Sequence, residues 1–206
     1  MSATLIIIIL TIAISFYAWN NPATLDRWLM SPYRISRRGE YDRFIMSGFI
    51  HQDYMHLFFN MITLWSFGNV VEGIYANVGY NGGLMFGLIY LLGIIVADLP
   101  TYFKYKNTSS HASLGASGGV SAVVFAAIVF MPTMPLSIMF ILPLPGFIFA
   151  GLYLWYCSYM SRNNYGQGIN HDAHFYGSAF GAVFALVSVP GAAVNFAQQV
   201  MNWRMF

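Results

Sequence analysis

Charge is what this sequence has least of. Asp, Glu, Lys and Arg make up 8% of its 206 residues, against about 25% in an ordinary soluble domain. A soluble sphere of this size needs a polar coat that these residues cannot supply, which excludes a soluble globular enzyme. A disordered chain is excluded too, because disorder needs low hydrophobicity and 58% of the residues here are hydrophobic. Nine Lys and Arg against seven Asp and Glu make no basic patch, so no nucleic-acid partner is expected. Cysteine is nearly absent. Cys157 stands alone, so no intramolecular disulfide can form and thiol spacing says nothing about the compartment. These absences leave an integral membrane protein, in line with a mean hydropathy of +0.59.

What the sequence does have is long apolar runs. The first, Leu5 to Trp19, follows a start without Lys or Arg and leads into Asn20, Asn21 and Pro22. That is no small-x-small cleavage site, so the run reads as a retained first helix over residues 2–20 rather than a signal peptide. Further spans are expected at about 54–75, 79–99, 115–131, 136–157 and 173–194. Residues 21–50 are the most polar stretch, mixing Asp26, Arg27, Arg34, Glu40, Asp42 and Arg43 with Trp28, Tyr33 and Phe44. Such a mixture suits a structured loop at the bilayer surface. No charged residue lies between Asn107 and Ser161. Pro132 and Pro135 divide that stretch into the fourth and fifth spans, and Pro143 and Pro145 should kink the fifth. A polar connection is expected from Pro100 to Ser113. The expected fold is an all-α membrane protein, a six-transmembrane-helix bundle forming one unit over residues 1–206.

Polar groups inside spans are costly and usually functional. Three clusters open the even-numbered spans and so meet at one end of the bundle. They are His51 to Asn60, which holds His56 and Asn60 four apart on one helical face, Gly115 to Gly119 around Ser117, and His171 to Gly181 around His174. A serine is a poor nucleophile until a base takes its proton, and histidine is the usual base. Backbone N–H groups at a helix start are unpaired and can face an oxyanion. Ser117 would offer its hydroxyl and its N–H, His174 would be the base, and His56 and Asn60 would add donors. Gly177 and Gly181 should pack on Gly118 and Ala122 and so bring Ser117 to His174. Gly119→Ala, one position round the helix from that strip, should do much less harm than Gly177→Val.

Each residue also has a plainer reading: Ser117 as an N-cap or packing residue, the histidines as interfacial, Asn60 as interhelical glue. His171 and His174 are spaced for a metal, and Asp53 and Glu72 lie elsewhere in the chain, but no H-E-x-x-H motif is present. No metal and no organic cofactor are expected. Asp172 lies too near His174 in the chain to orient it easily. A small transporter or channel using His56, Asn60 and His174 as a polar path, and a non-catalytic protein that binds membrane partners, are the alternatives.

Together the clusters resemble the rhomboid family of intramembrane serine proteases. Gly115-Ala-Ser117-Gly118 is similar to that family's nucleophile motif, and His174 with Gly177 and Gly181 to its base motif. His56 and Asn60 resemble its oxyanion pair, His51 a further histidine just before it, Arg43 an arginine of the first loop, and Glu72 a glutamate closing the second span. The resemblance implies a Ser117–His174 dyad, transmembrane protein substrates within the lipid bilayer, and a bacterial inner (cell) membrane location. It also implies a site opening to the non-cytoplasmic side, against a positive-inside count that would put the odd loops in the cytoplasm. Two positions depart from the pattern: Ser121 stands where many relatives have a tyrosine against the base, and Asp42 where a tryptophan is usual. The oligomeric state is not readable.

Overall fold

The computed structural model describes residues 1–138, 142–163 and 168–204. The chain opens with α1 (Ala3–Trp19) and three short helices, α2 (Pro22–Trp28), α3 (Pro32–Arg38) and α4 (Arg43–Met46). Two long helices follow, α5 (Tyr54–Asn77) and α6 (Gly82–Tyr105), then α7 (Ser117–Phe130). A hairpin of β1 (Pro135–Ile138) and β2 (Leu142–Pro145) leads to α8 (Gly146–Arg162), α9 (His171–Ser188) and α10 (Ala192–Asn202). Of these, α5 and α6 are each long and apolar enough to cross a membrane. A third crossing exists if α9 and α10 are taken together, although the pair bends by 110°. The molecule is an integral membrane protein.

Three boundaries differ from the sequence expectation. The span expected from residue 136 begins instead as the hairpin, with Pro135 opposite Pro145, and its helix starts at Gly146. Pro143 and Pro145 therefore kink no helix. Prolines cannot donate to a ladder, and a two-stranded hairpin leaves each strand an open edge where that donor is not needed. The helix expected to end before Pro100 continues through it to Tyr105. The span expected over 173–194 stops at Ser188 and turns near Pro190 and Gly191, where Gly191 takes a φ of +82°.

The bundle is built around α7. Twelve of its fourteen residues are buried, and small residues admit neighbours on two sides. A Cβ built on Gly93 of α6 would lie 2.7 Å from the Ala122 Cβ. One built on Gly177 of α9 would fall on the Gly118 carbonyl, and one on Gly181 on the Ala122 carbonyl. The expected contact between the Gly118/Ala122 strip and the Gly177/Gly181 strip is thus present. Gly119, where alanine is expected to do much less than valine at Gly177, is itself closely packed: a Cβ there would lie 2.7 Å from the Tyr90 carbonyl oxygen and 2.8 Å from Ile94 Cγ1. The face opposite α9 is just as tightly packed, against α6. At the far end, Gln199 of α10 donates to the Phe130 carbonyl at 3.1 Å, satisfying one of the acceptors a helix leaves open.

Two charged residues hold the periphery. The Glu72 carboxylate accepts from the Ala3 and Thr4 N–H groups, both at 3.0 Å, and from the Thr4 hydroxyl at 2.9 Å. It places an anion on the free donors of α1, where the helix dipole favours it. The Arg43 guanidinium is buried, donating to Glu40 and to the carbonyls of Asp26 at 3.0 Å and Leu29 at 2.7 Å. The same bond holds the Glu40 carboxyl below its ordinary pKa. Asp42 pairs with Arg27 at 3.0 Å. Met30 and Ser113 exchange backbone hydrogen bonds of 2.9 and 3.0 Å, which fasten this loop to the segment that enters α7.

Candidate active site

Ser117 is the first residue of α7 and is half-buried. Gly115, two residues earlier, takes a φ of +119°, a conformation that glycine alone adopts without strain. Its missing side chain also makes room, since a Cβ there would lie 2.6 Å from His56 Cε1 and 2.9 Å from His56 Nε2. The His56 imidazole is thereby packed on the turn that presents Ser117.

His51 supports the same turn from beneath. The Ser15 hydroxyl donates to the Phe49 carbonyl at 3.0 Å and meets His51 Nδ1 at 3.0 Å. Nδ1 is therefore the protonated nitrogen, and Nε2 is free to accept from the Ala116 N–H at 3.5 Å. Burial keeps this imidazole neutral by pushing its pKa down to about 3. His51 and His56 meet edge to face, with ring centroids 5.0 Å apart. Asn60 lies one turn below His56, buried, and its amide donates to the His56 carbonyl at 3.0 Å.

His174 is in the first turn of α9, one turn before Gly177. The space a side chain would need at Gly118 is bounded by Ala97 of α6 at 2.5 Å and by the Ala173 carbonyl at 3.7 Å. The serine and histidine ends of the two helices therefore adjoin. Among the described residues Ser117 and His174 share no hydrogen bond. Instead His174 Nδ1 lies 3.1 Å from the Tyr153 hydroxyl of α8, with the two rings nearly parallel at 14° and centroids 6.4 Å apart. Asp172 does not turn toward His174; it accepts from the Ser161 hydroxyl and sits 3.7 Å from Lys104 Nζ.

Two cavities reach these groups. A small one of about 20 Å³, room for one water, lies between Ser47, Asp98, Gly115, Ser117 and Gly118. An open cleft of about 990 Å³ is lined by His56, Lys104, Ser161, Asn170 and His171, among others. It joins the His56 and His171 clusters, and its wall at Ser113 and Leu114 leads into the turn before Ser117.

Residues 38–191 match the rhomboid domain family. The chain belongs to the rhomboid family. It is 26% identical over 171 residues to RHOMBOID-like protein 12, mitochondrial, of Arabidopsis thaliana, covering 77% of this chain and 51% of that protein. It is 31% identical over 142 residues to the human presenilin-associated rhomboid-like protein, mitochondrial, covering 66% of this chain and 35% of that one. The zebrafish (Danio rerio) presenilin-associated rhomboid-like protein A, mitochondrial, matches at 31% over 104 residues, 50% of this chain and 25% of that protein. The chain thus spans about half or less of these relatives' lengths. Their names place them in mitochondria and give no support to a bacterial inner membrane.

In this rhomboid the sequence reading missed Tyr153 and Cys157. Tyr153 stands against His174, a contact that a tyrosine at residue 121 would make in the resembling pattern and Ser121 cannot. Its ring stacks on Phe149, with centroids 5.5 Å apart and planes at 15°. Cys157, one turn later, offers its thiol within 4.8 Å of ligand nitrogens on His171 and His174. Tyr153 does not stand out in the sequence of α8, which is crowded with aromatics, and Cys157, conspicuous as the lone cysteine, shows no partner until the fold sets it against α9.

Proposed function

We propose that this rhomboid is an intramembrane serine endopeptidase, cutting transmembrane segments of other proteins through Ser117 and His174. The observation that carries the reading is the backbone contact between Gly118 and Gly177, which seats the open N-terminus of α7 beside the first turn of α9. His174 Nε2 takes the Ser117 proton while Tyr153 holds Nδ1. The Ser117 oxygen attacks the peptide carbonyl, and the oxyanion is met by the Ser117 N–H, His56 and Asn60. The C–N bond then breaks, the leaving amine takes the proton back from His174, and an acyl-enzyme remains. Water from the cleft, deprotonated by His174, cleaves that ester and frees Ser117. Catalytic hydrogen bonds are often long before substrate arrives and tighten in the complex.

The same reading makes α1, α5, α6, α7, α8 and α9 the six membrane helices of a single unit over residues 1–206. The cleft opens on the face of the odd loops, which we assign to the non-cytoplasmic side. Supporting residues are His51 and Gly115 beneath Ser117, and Gly118, Gly177 and Gly181 at the helix contact.

The test is labelling of purified protein with a fluorophosphonate, together with cleavage of a transmembrane substrate in proteoliposomes. Wild type should be labelled at Ser117 and should cleave. Ser117→Ala should do neither while melting at the wild-type temperature. Cleavage by Ser117→Ala at the wild-type rate would remove the dyad. An unlabelled, inactive wild type that retains membrane partners would make the chain a non-catalytic rhomboid.

A further inference from the structure

We propose that Cys157, His171 and His174 form a zinc site that captures the catalytic base and switches the protease off. The switch rests on the dyad reading above, whereas the metal site stands without it.

The fold, not the sequence, assembles these donors. His171 and His174 are one turn apart on α9, and Cys157 faces them from α8. Their ligand atoms all lie within 4.8 Å of one another. In a tetrahedral zinc site with Zn–N bonds of about 2.0–2.1 Å and one Zn–S bond of about 2.3 Å, ligand atoms stand about 3.3–3.6 Å apart. Binding would draw the ligand atoms together by about 1 Å, a movement we assign to the two imidazole side chains. Thiolate with two imidazoles is a donor set that suits zinc, and three protein ligands leave a fourth position for water.

A second observation points to a ligand. His171 is 5% exposed, yet both of its ring nitrogens are buried without a hydrogen-bond partner among the described residues. Buried polar atoms are nearly always paired, and a metal ion at this position would satisfy one of them. The Cys157 thiol is free and fully buried. Tyr153, 3.1 Å from His174 Nδ1, is placed to orient that ring in the way outer partners fix metal-bound histidines. His171 lines the open cleft, which gives the ion a path from water. Asp172 is engaged by Ser161 and Lys104 and is not a ligand.

The chemistry is an exchange of a proton for an ion. Zinc bonds to the Cys157 sulfur as the thiol proton leaves to water through the cleft, and each imidazole gives a lone pair. A His174 nitrogen bound to zinc fixes the ring away from Ser117, and the base is lost until the metal is removed.

The test uses reduced, full-length protein in detergent, titrated with Co²⁺ as a spectroscopic substitute for Zn²⁺. Wild type should develop a thiolate-to-cobalt charge-transfer band that one equivalent saturates and Zn²⁺ erases. Cys157→Ser should lose the band, and His171→Gln should weaken Zn²⁺ binding by about 100-fold or more. Ser117→Ala should keep the band, so the site is decided even if the protease reading falls. In cleavage assays Zn²⁺ should arrest wild type, a chelator should restore it, and His171→Gln should cleave at its basal rate with Zn²⁺ present. No zinc-displaced cobalt band in wild type overturns the site. A band accompanied by undiminished cleavage under saturating Zn²⁺ overturns the switch.

Discussion

Adding one methyl group at Gly177 tests the geometry of the proposed dyad without touching a catalytic side chain. A Cβ at this position would lie 2.9 Å from the Gly118 carbonyl carbon and 3.1 Å from its Cα, with the carbonyl oxygen nearer still. Ordinary contacts of this kind begin at 3.4 Å. Both partners are backbone, so no side chain can swing aside, and α9 must back away from α7. Relieving the oxygen contact takes a movement on the order of 1 Å, enough to cost about 100-fold in rate when it separates reacting groups. Overpacking of this kind also destabilises by about 1–3 kcal/mol. Gly177→Ala should therefore lower kcat about 100-fold with KM little changed, and it should melt at a lower temperature. The assay is cleavage of a fluorogenic transmembrane substrate in proteoliposomes, with melting in detergent alongside. Gly151→Ala is the control, because nothing lies within 4 Å of a Cβ there, and it should behave as wild type. Gly177→Ala cutting at the wild-type rate would show that this contact does not set the Ser117–His174 distance.

Tyr153→Phe removes the hydrogen bond to His174 Nδ1 and keeps the ring. Loss of about 1 kcal/mol should lower kcat roughly fivefold and shift its pH profile, and an unchanged profile would make Tyr153 a packing residue only. Asn60→Ala should lower kcat by about 100-fold or more if its amide meets the oxyanion, whereas a change confined to KM would assign it to substrate binding. For His51 the folded pKa of about 3 lies below the ordinary 6.5. The unfolded chain therefore takes up a proton first as the pH falls, and stability is lost progressively from about 6.5 down to about 3, by up to about 1.4 kcal/mol per pH unit. His51→Gln should flatten that part of the melting-temperature profile, and parallel profiles for the two proteins would refute the assignment.

The polar clusters could be read from sequence because a histidine or asparagine inside an apolar span has few reasons to be there. Their meeting at one end follows from helix parity alone, and the Gly118–Gly177 contact from the spacing of small residues. Other features depend on context that spacing does not carry. Proline at 100 sits inside a helix while prolines at 143 and 145 sit in a hairpin, since neighbours decide where a missing donor is tolerated. Gly119 lies off the strip that meets α9, and spacing alone did not show that α6 packs on that other side of α7. Tyr153 was hidden among aromatics, and the lone Cys157 had no visible partner, until the orientation of α8 picked out which of its faces meets α9.

The helix that carries Ser117 is about 21 Å long at 1.5 Å per residue, well short of the roughly 30 Å of a bilayer's hydrocarbon, and it is walled in by protein. Such a segment has little to gain from lipid and almost everything to gain from its neighbours. Its surroundings are supplied by α5, α6 and α9, which pack round it in the finished fold. A complete chain whose helices have not yet closed would carry Ser117 and His174 without holding them side by side. On the proposed dyad, closing the bundle is the step that would arm the serine.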